Sequence, residues 1–184
     1  MKKIPTIFKR SEEKGGHITR EYTIDTELFS IATATEKLDG TNIRVTVRNH
    51  FVVRVEKRRN PSKLEKAKGI IEPWYTDASD SAEDKWIMES VKGTDFSNIP
   101  DGEWSGEALG PNIQGNTLNL PTNRVLFFTL NQAPIFEDVP TTYDELAEWL
   151  PKQKSKYGVD CGIEGIVWHC SDGSMMKIKT KDFR

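Results

Sequence analysis

The sequence is poor in cysteine, which limits the kinds of site it can build. Its only two cysteines are Cys161 and Cys170. The residues between them have the composition of one extended strand, which would hold the two thiols about 30 Å apart at ~3.3 Å per residue. We therefore expect no disulfide, as suits a reducing compartment. Together with His169, the two cysteines match no usual spacing of zinc ligands, so a zinc site is not expected either.

Long apolar runs are also lacking. No segment approaches the roughly 20 apolar residues that a membrane-spanning helix needs. The apolar part of the N-terminus ends at Lys9 and Arg10, which is too early for a signal peptide. We therefore predict a cytoplasmic protein that has no membrane partner.

An excess of charge of one sign is missing too, because the formal net charge is −2. This near balance argues against indiscriminate phosphate binding by the whole surface. Basic residues do concentrate between Arg54 and Lys68, and a solvated charged face is the ordinary explanation of such a run. A hydrophobic content of 36% and a charged content of 29% in 184 residues predict one polar globular domain over residues 1–184, which we expect to be a monomer.

The segment E-K-L-D-G-T-N at residues 36–42 is the first candidate for chemistry. A lysine is a nucleophile only as the neutral amine, so a catalytic Lys37 needs burial, other cations or a metal that disfavour its charged form. Gly40 lets the backbone turn and approach a ligand closely. Thr41 and Asn42 then add a hydroxyl and an amide. The alternative is an ordinary hairpin in which Asp-Gly lies beside a surface lysine.

Alternation of apolar and polar residues predicts a β-hairpin after this segment. Residues 43–48 alternate between an apolar and a polar face, and Asn49 and His50 form the turn. Residues 51–55 form the returning strand. Further strands are predicted at residues 28–33 and 124–130.

Two helices are predicted from their caps and apolar stripes. The first covers residues 82–91, is capped by Asp80 or Ser81 and ends at Gly93. The second begins at a capping box of Thr142 and Glu145 and ends before the proline at position 151.

A second hairpin is predicted near the end of the chain. Residues 162–170 and 175–180 flank the turn S-D-G-S. Alternation places Lys177 and Lys179 on one face of the last strand. Two neighbouring lysines repel each other, so either the strand is a solvated edge or the lysines hold an anion.

Six short motifs follow one another along the chain: K-L-D-G at 37–40, Arg58, Gly106-Glu107, Phe127-Phe128, E-G-I-V at 164–167 and K-I-K at 177–179. Their order resembles that of the covalent nucleotidyltransferase superfamily, which comprises ATP-dependent DNA ligases, RNA ligases and mRNA capping enzymes. The resemblance implies an α+β fold of mainly antiparallel sheets flanked by helices, with a nucleotide cleft between them. Because the chain ends five residues after Lys179, we expect the catalytic domain without an appended OB-fold.

Two details resemble the RNA ligases of the nick-sealing and RNA-editing type. Gly40 is followed by Thr41 and Asn42, whereas the DNA ligases usually have an arginine two places after that glycine. Residues 106–116, G-E-A-L-G-P-N-I-Q-G-N, are similar to a segment common in the RNA branch. A glycine-rich turn that only closes a hairpin is the alternative for residues 110–116.

The resemblance also implies a role for each matching residue. Lys37 would attack the α-phosphorus of ATP and form lysyl-AMP, and Glu164 would bind Mg²⁺, for which Mn²⁺ can substitute. Of the aromatic pair Phe127 and Phe128, which point to opposite faces, one belongs to the core and Phe128 is the better candidate to stack on adenine. The remaining expected nucleotide contacts are Glu36 or its backbone to the base edge, Asn42 near the phosphates, Arg58 (with Arg59 as second choice) to a phosphate or the ribose, Glu107 to the ribose hydroxyls, and Lys177 and Lys179 to the α-phosphate.

The expected activity is ATP-dependent RNA ligation. The adenylate would pass to a 5′-phosphate and be displaced by a 3′-hydroxyl at a nick in RNA or in an RNA/DNA duplex. A partner protein would supply the missing substrate-binding domain. The alternatives are a minimal ATP-dependent DNA ligase, a capping guanylyltransferase, and a nucleotide- or RNA-binding module that has lost the chemistry.

Overall fold

The computed structural model describes residues 3–13, 16–130 and 132–183. The chain divides into two compact units. One consists of Ile4–Leu38 and Ala133–Arg184 and is called here the four-stranded unit. The other consists of Asp39–Gln132 together with Met1–Lys3 and is called the five-stranded unit. The architecture is α+β with antiparallel pairing between all the named strands, which confirms the fold class that the family resemblance implies.

The four-stranded unit contains one main sheet, whose strands run in the order β11-β10-β3-β9. Strands β1 and β2 form a separate pair, and the helix α3 completes the unit. The bounds are β1 Phe8–Arg10, β2 Ile18–Tyr22, β3 Thr33–Lys37, β9 Ile135–Phe136, α3 Tyr143–Trp149, β10 Gly165–His169 and β11 Met175–Lys179.

One face of this main sheet forms the core of the unit. Ile166, Trp168, Met176 and Ile178 are all at most 2% exposed. They alternate with residues of the opposite, partly exposed face of the same strands. The period of two predicted for the last hairpin is therefore confirmed, and it leaves one face free of core packing.

The five-stranded unit contains a sheet in the order β6-β5-β4-β7-β8. Its core consists of one face of this sheet and apolar residues of the helix α2. The bounds are β4 Thr41–Arg48, β5 Phe51–Arg59, α1 Lys63–Ala67, β6 Trp74–Asp77, α2 Lys85–Lys92, β7 Gly102–Leu109 and β8 Arg124–Phe127.

The first predicted hairpin is confirmed in strands β4 and β5. Ile43, Val45 and Val47 are fully buried. Asn49 and His50 have φ angles of 50° and 65°, which are the left-handed values that a two-residue hairpin turn requires.

Three predicted elements have other bounds in the structure. Residues 26–31 form a 3₁₀ helix, and the strand predicted at 28–33 begins only at Thr33. Strand β8 ends at Phe127 and does not reach residue 130. Helix α2 begins after Asp84, three residues later than predicted, because the Asp84 carboxylate accepts from Lys57 Nζ at 2.6 Å and from the amide of Ser79 at 3.0 Å.

The predicted capping box of α3 is also wrong in its contacts. The helix does begin after Thr142, but the threonine side chain makes no capping hydrogen bond. Its hydroxyl donates to the Glu145 carboxylate at 2.5 Å.

None of the helices in the described ranges has the length and apolar character to cross a bilayer.

Candidate functional site

The strand register of the four-stranded unit places two lysines on either side of one glycine. Gly165 of β10 is paired with Lys37 of β3 on one side and with Lys179 of β11 on the other. Residues directly opposite each other in antiparallel strands project from the same face of the sheet. Lys37 and Lys179 therefore share a face, with no side chain between them.

The Glu164 carboxylate joins these two lysines. Lys37 Nζ lies 2.6 Å from Glu164 Oε2, and Lys179 Nζ forms an ion pair with Glu164 Oε1. The side chains are only 17%, 22% and 13% exposed for Lys37, Lys179 and Glu164. Two ammonium groups thus share one carboxylate in a partly desolvated place, where electrostatic interactions are stronger than in water.

The row has no room for a side chain larger than a hydrogen atom at its central residue, Gly165. A Cβ atom on Gly165 would lie 2.0 Å from the carbonyl oxygen of Ile178 and 2.8 Å from Lys179 Cα. Any larger residue would separate β10 from β11 and with it Lys179 from Lys37. The glycine of the E-G-I-V motif therefore allows β10 and β11 to pair closely enough to keep Lys179 beside Lys37.

Lys177 belongs to the next row of the same face. It is paired with Val167, which is paired in turn with Thr35. All three residues are partly exposed. The predicted placement of Lys177 and Lys179 on one side of β11 is confirmed, and the structure brings both to the face that carries Lys37.

Glu36 lies on the opposite, buried face and is 2% exposed. Its carboxylate accepts from the Ser155 hydroxyl at 2.5 Å and from the Lys156 amide at 2.9 Å. The structure therefore does not bring the Glu36 side chain together with Lys37. Its predicted contact with the base edge stays a prediction, and in this geometry it would be made by the backbone.

His169 lies at the far end of the lysine-bearing face, paired with Thr33 and Met175. Its Nε2 is 3.0 Å from the Thr35 hydroxyl. Burial lowers the pKa of His169 below its ordinary value, because desolvation disfavours the imidazolium. The imidazole is accordingly neutral at physiological pH.

The residues of the five-stranded unit that are predicted to contact the nucleotide lie on the polar face of its sheet. Asn42 of β4 is paired with Glu107 of β7. Arg58 of β5 is paired with Tyr75 of β6. Ile43, the neighbour of Asn42, is paired with Lys57, the neighbour of Arg58. Alternation along these strands places Asn42, Arg58 and Glu107 on one face.

Arg58 differs from its basic neighbours in its partners. Arg54 pairs with Asp77 at 2.6 Å, Lys57 with Asp84 at 2.6 Å and Arg59 with Glu65 at 3.1 Å. Within residues 3–13, 16–130 and 132–183, Arg58 forms no ion pair. The preference for Arg58 over Arg59 as the cation that meets a ligand stays a prediction.

The aromatic pair divides as expected between the two faces of the sheet. Phe127 is fully buried in the core. Phe128 is partly exposed, and its amide donates to the Ser105 carbonyl at 3.1 Å. Its side chain therefore belongs to the face of Ser105 and Glu107. Stacking of Phe128 on adenine stays a prediction.

The first turn and the glycine-rich segment meet within the five-stranded unit. A Cβ on Gly40 would lie 2.4 Å from the Ala108 carbonyl oxygen, so this glycine admits a neighbouring strand. The Gln114 side chain donates to the Thr41 hydroxyl at 3.3 Å. Asn116 bonds the backbone of Leu120 with both its amide atoms, which is a structural role and agrees with the alternative of a loop-closing turn.

Sequence reasoning missed a polar network on the same face. Arg44 binds both oxygens of the buried Glu56 at 2.7 and 2.9 Å, and this contact raises the pKa of Arg44. The Arg44 guanidinium lies 4.7 Å from the centre of the Tyr75 ring. The alternation places Arg44 on the polar face, but only the register of β4 against β5 shows that it meets Glu56.

The described residues contain no cluster of three or more His, Cys, Asp or Glu side chains that could hold a metal on their own. Glu164 is a single, partly buried carboxylate beside the lysine row. Mg²⁺ commonly binds through one or two carboxylates and the phosphates of a substrate, with several retained waters. The donor set therefore fits a divalent ion that is bound together with a nucleotide.

Comparison with known proteins identifies proteins that are similar to this chain. The family model "RNA ligase 1" matches residues 101–183. RNA ligase 1 of Rattus norvegicus is 33% identical over 75 residues, which are 39% of this chain and 22% of the rat protein. The chain thus spans less than a quarter of that relative.

Solved structures of an RNA ligase from Naegleria gruberi share the fold. An apo variant of that enzyme has a TM-score of 0.55 at 15% identity, covering 100% of this chain and 60% of the Naegleria chain. A variant with AMP and Mn has a TM-score of 0.52 at 14% identity, covering 98% of this chain and 60% of the other. The chain therefore has the fold of an RNA ligase and, over residues 101–183, the sequence pattern of the RNA ligase 1 family, which confirms its resemblance to RNA ligases.

Proposed function

We propose that this chain is an ATP-dependent RNA ligase that works through a covalent lysyl-AMP at Lys37. The observation that carries the proposal is the row of Lys37, Gly165 and Lys179 with the carboxylate of Glu164 between the two lysines. Two ammonium groups that share a single carboxylate leave surplus positive charge. That surplus suits a phosphate group, whose transfer depends on positioning and on neutralisation of charge.

In the first step Lys37 Nζ attacks the α-phosphorus of ATP. A nitrogen–phosphorus bond forms, the bond to the bridging oxygen breaks and pyrophosphate leaves with the electron pair. Lys37 must lose a proton to act as a nucleophile, and Glu164 Oε2 is a carboxylate oxygen within hydrogen-bond distance of it. Lys179 and Lys177, on the same face, would bind the α-phosphate oxygens.

Glu164 would hold the divalent ion, Mg²⁺ or Mn²⁺, that accompanies the nucleotide. Such an ion supplies positive charge to the phosphate oxygens. The Naegleria gruberi ligase was solved with AMP and Mn and, in another variant, with ATP and Mn, which supports ATP and a divalent ion as cofactors here.

Residues of the five-stranded unit would bind the rest of the nucleotide. We propose that Arg58 binds a phosphate or the ribose, Glu107 the ribose hydroxyls and Phe128 the adenine ring, with Asn42 near the phosphates. These residues share the polar face of one sheet, which supports the assignment.

In the later steps a 5′-phosphate oxygen of RNA would attack the lysyl-AMP, breaking the nitrogen–phosphorus bond. The 3′-hydroxyl would then form the phosphodiester and release AMP. A partner protein would supply further RNA-binding surface.

A nick with RNA on its 3′-hydroxyl side should be sealed in preference to an all-DNA nick. The reverse preference would favour a DNA ligase. Rapid sealing by this chain alone would exclude the need for a partner protein.

The decisive experiment is incubation with α-labelled ATP and Mg²⁺ followed by a denaturing gel. Label should stay on the protein, be released by acid as a phosphoramidate, and be absent in Lys37→Ala. Lys152→Ala is the matched control, because Lys152 is exposed and pairs only with Glu148 among the described residues. Label from GTP in place of ATP would indicate a guanylyltransferase. Binding of ATP without covalent label would identify an inactive nucleotide-binding module.

A further inference from the structure

Tyr75 lies among the predicted nucleotide contacts although no motif includes it. It is the second residue of β6 and is paired with Arg58. Its side chain is partly exposed and extends over the polar face of the five-stranded sheet as far as Asn42 on β4. A residue that spans two neighbouring strands in this way can fix the position of a functional side chain.

The hydrogen bonds of Tyr75 have a defined direction. Its hydroxyl donates to Asn42 Oδ1 at 2.9 Å and lies 3.2 Å from the Ser105 hydroxyl. A tyrosine hydroxyl carries one proton, so the Ser105 hydroxyl must act as donor towards Tyr75. The Asn42 amide nitrogen faces the Gly106 carbonyl at 3.5 Å. These contacts hold the Asn42 carboxamide with its oxygen towards Tyr75.

The tyrosine ring is itself held in place. The Arg44 guanidinium lies 4.7 Å from the ring centre, a distance typical of a cation–π contact. Arg44 cannot move freely, because both oxygens of Glu56 bind it at 2.7 and 2.9 Å and Glu56 is 2% exposed. Separating this pair would leave the buried Glu56 carboxylate with only its 3.3 Å contact to Arg54, which is costly.

We propose that Tyr75 is a positioning residue for Asn42: by occupying the amide oxygen, it leaves the NH₂ as the group that Asn42 can offer to the bound nucleotide. This inference rests on the proposed function. An asparagine can present either its NH₂ or its oxygen by rotating about its last bond. Towards an anionic phosphate the NH₂ is attractive and the oxygen repulsive. The Tyr75 hydroxyl selects the attractive orientation because it occupies the oxygen.

The test is a double-mutant cycle on the rate of lysine adenylation. Tyr75→Phe keeps the ring and its contact with Arg44 and removes only the hydroxyl. It should slow adenylation by about five- to tenfold, as expected for the loss of one oriented hydrogen bond. In the Asn42→Ala background the same change should have less than about a twofold effect, because interacting residues are not additive.

A matched control separates this role from a general contribution to folding. The Tyr22 hydroxyl also donates to a neighbouring group, the Thr141 carbonyl at 3.1 Å, but in the four-stranded unit. Tyr22→Phe should lower the melting temperature about as much as Tyr75→Phe while leaving the adenylation rate within about twofold of the wild type. Asn42→Ser is a second background should Asn42→Ala not fold.

Each outcome decides one of the two proposals. An adenylation rate unchanged in Tyr75→Phe overturns the positioning role, and so does an equal slowing with and without Asn42. Both results leave the lysyl-AMP mechanism intact, since the wild type is still labelled and Lys37→Ala is not. Absence of label on the wild type overturns the proposed function, and the role of Tyr75 is then rejected with it.

Discussion

The two units place charge on their sheets in different ways. On the four-stranded sheet, Lys37 and Lys179 share the single carboxylate of Glu164. On the five-stranded sheet, by contrast, Arg44 contacts both Glu56 and Glu103. The first arrangement has more cations than carboxylates, whereas the second gives its arginine more than one acidic partner.

If the proposed function is correct, this difference separates side chains that bind the nucleotide from side chains that hold the binding residues in place. A surplus of positive charge in a partly buried place is stabilised further when an anion arrives, as phosphoryl transfer requires. A compensated network such as Arg44 and Glu56 gains little from an additional anion, but it fixes the side chains around it. Arg58 forms no ion pair in the described part of the chain, unlike Arg54, Lys57 and Arg59 of the same strand, which is why we propose it as a binding residue.

The largest effect should come from breaking the lysine row at its centre. In Gly165→Ala the added Cβ would lie 2.0 Å from the Ile178 carbonyl oxygen. We expect a loss of about 2–3 kcal/mol of stability, as is typical of overpacking, and a loss of lysine adenylation. Chemical denaturation and the labelling assay would measure the two effects.

Gly162→Ala is the matched control for this change. A Cβ on Gly162 would lie 3.5 Å from the Gln153 carbonyl oxygen, which is an ordinary contact. Its stability and labelling should stay close to those of the wild type. Equal behaviour of the two alanine variants would show that the spacing between β10 and β11 is not important.

Removal of one lysine from the row should have the next largest effect. Lys179→Ala leaves Lys37 as the only ammonium group of that row and removes a proposed contact with the α-phosphate. We expect the adenylation rate to fall at least tenfold, or about 1.4 kcal/mol of barrier. Lys181→Ala, two residues further and exposed, should have no comparable effect. An unchanged rate in Lys179→Ala would remove this lysine from the mechanism.

The neighbouring arginines of β5 provide a finer test of the comparison. Arg58→Ala should raise the KM for ATP by about fivefold, because a charge-assisted contact with a ligand contributes on the order of 1 kcal/mol. Arg59→Ala should leave KM nearly unchanged, since Arg59 pairs with Glu65 and stacks on Trp74. The measurement is the ATP dependence of adenylation. The opposite ranking would assign the contact to Arg59.

Local pattern was sufficient to predict the strand that carries Lys177 and Lys179, but not β3, which carries Lys37 and was predicted at residues 28–33. A period of two in residues 43–48 and 175–179 fixes which side chains share a face, and the register then follows from short turns. Lys177 and Lys179 were therefore assigned correctly to one face. The same reasoning put Phe127 and Phe128 on opposite faces, whereas the choice of Phe127 as the buried one came from the family resemblance.

Contacts between residues distant in sequence could not be predicted from local patterns. The partners of Glu36 are Ser155 and Lys156, and nothing in the local pattern of residues 33–37 indicates them. The start of α2 was missed for the same reason, because Asp84 binds Lys57 on another element. In both cases a buried carboxylate takes its partners from a remote segment, and tertiary contacts override the local signal.

The smallest expected effect concerns His169, which shares the face of Lys37. Burial lowers its pKa below the ordinary value of 6.5, so the folded protein binds its proton less readily than the unfolded chain. The stability that the neutral imidazole contributes is present above pH 6.5 and is lost as the pH falls through the lowered pKa. His169→Gln should therefore flatten the pH dependence of the melting temperature between pH 7 and about pH 5.

Because His169 contacts Thr35 and makes no ion pair within the described residues, the adenylation rate at pH 7 should stay within about twofold of the wild type. A melting profile of His169→Gln that falls as steeply as that of the wild type would assign the acid sensitivity to other groups, and a large loss of rate would extend the functional face of this sheet beyond its three lysines.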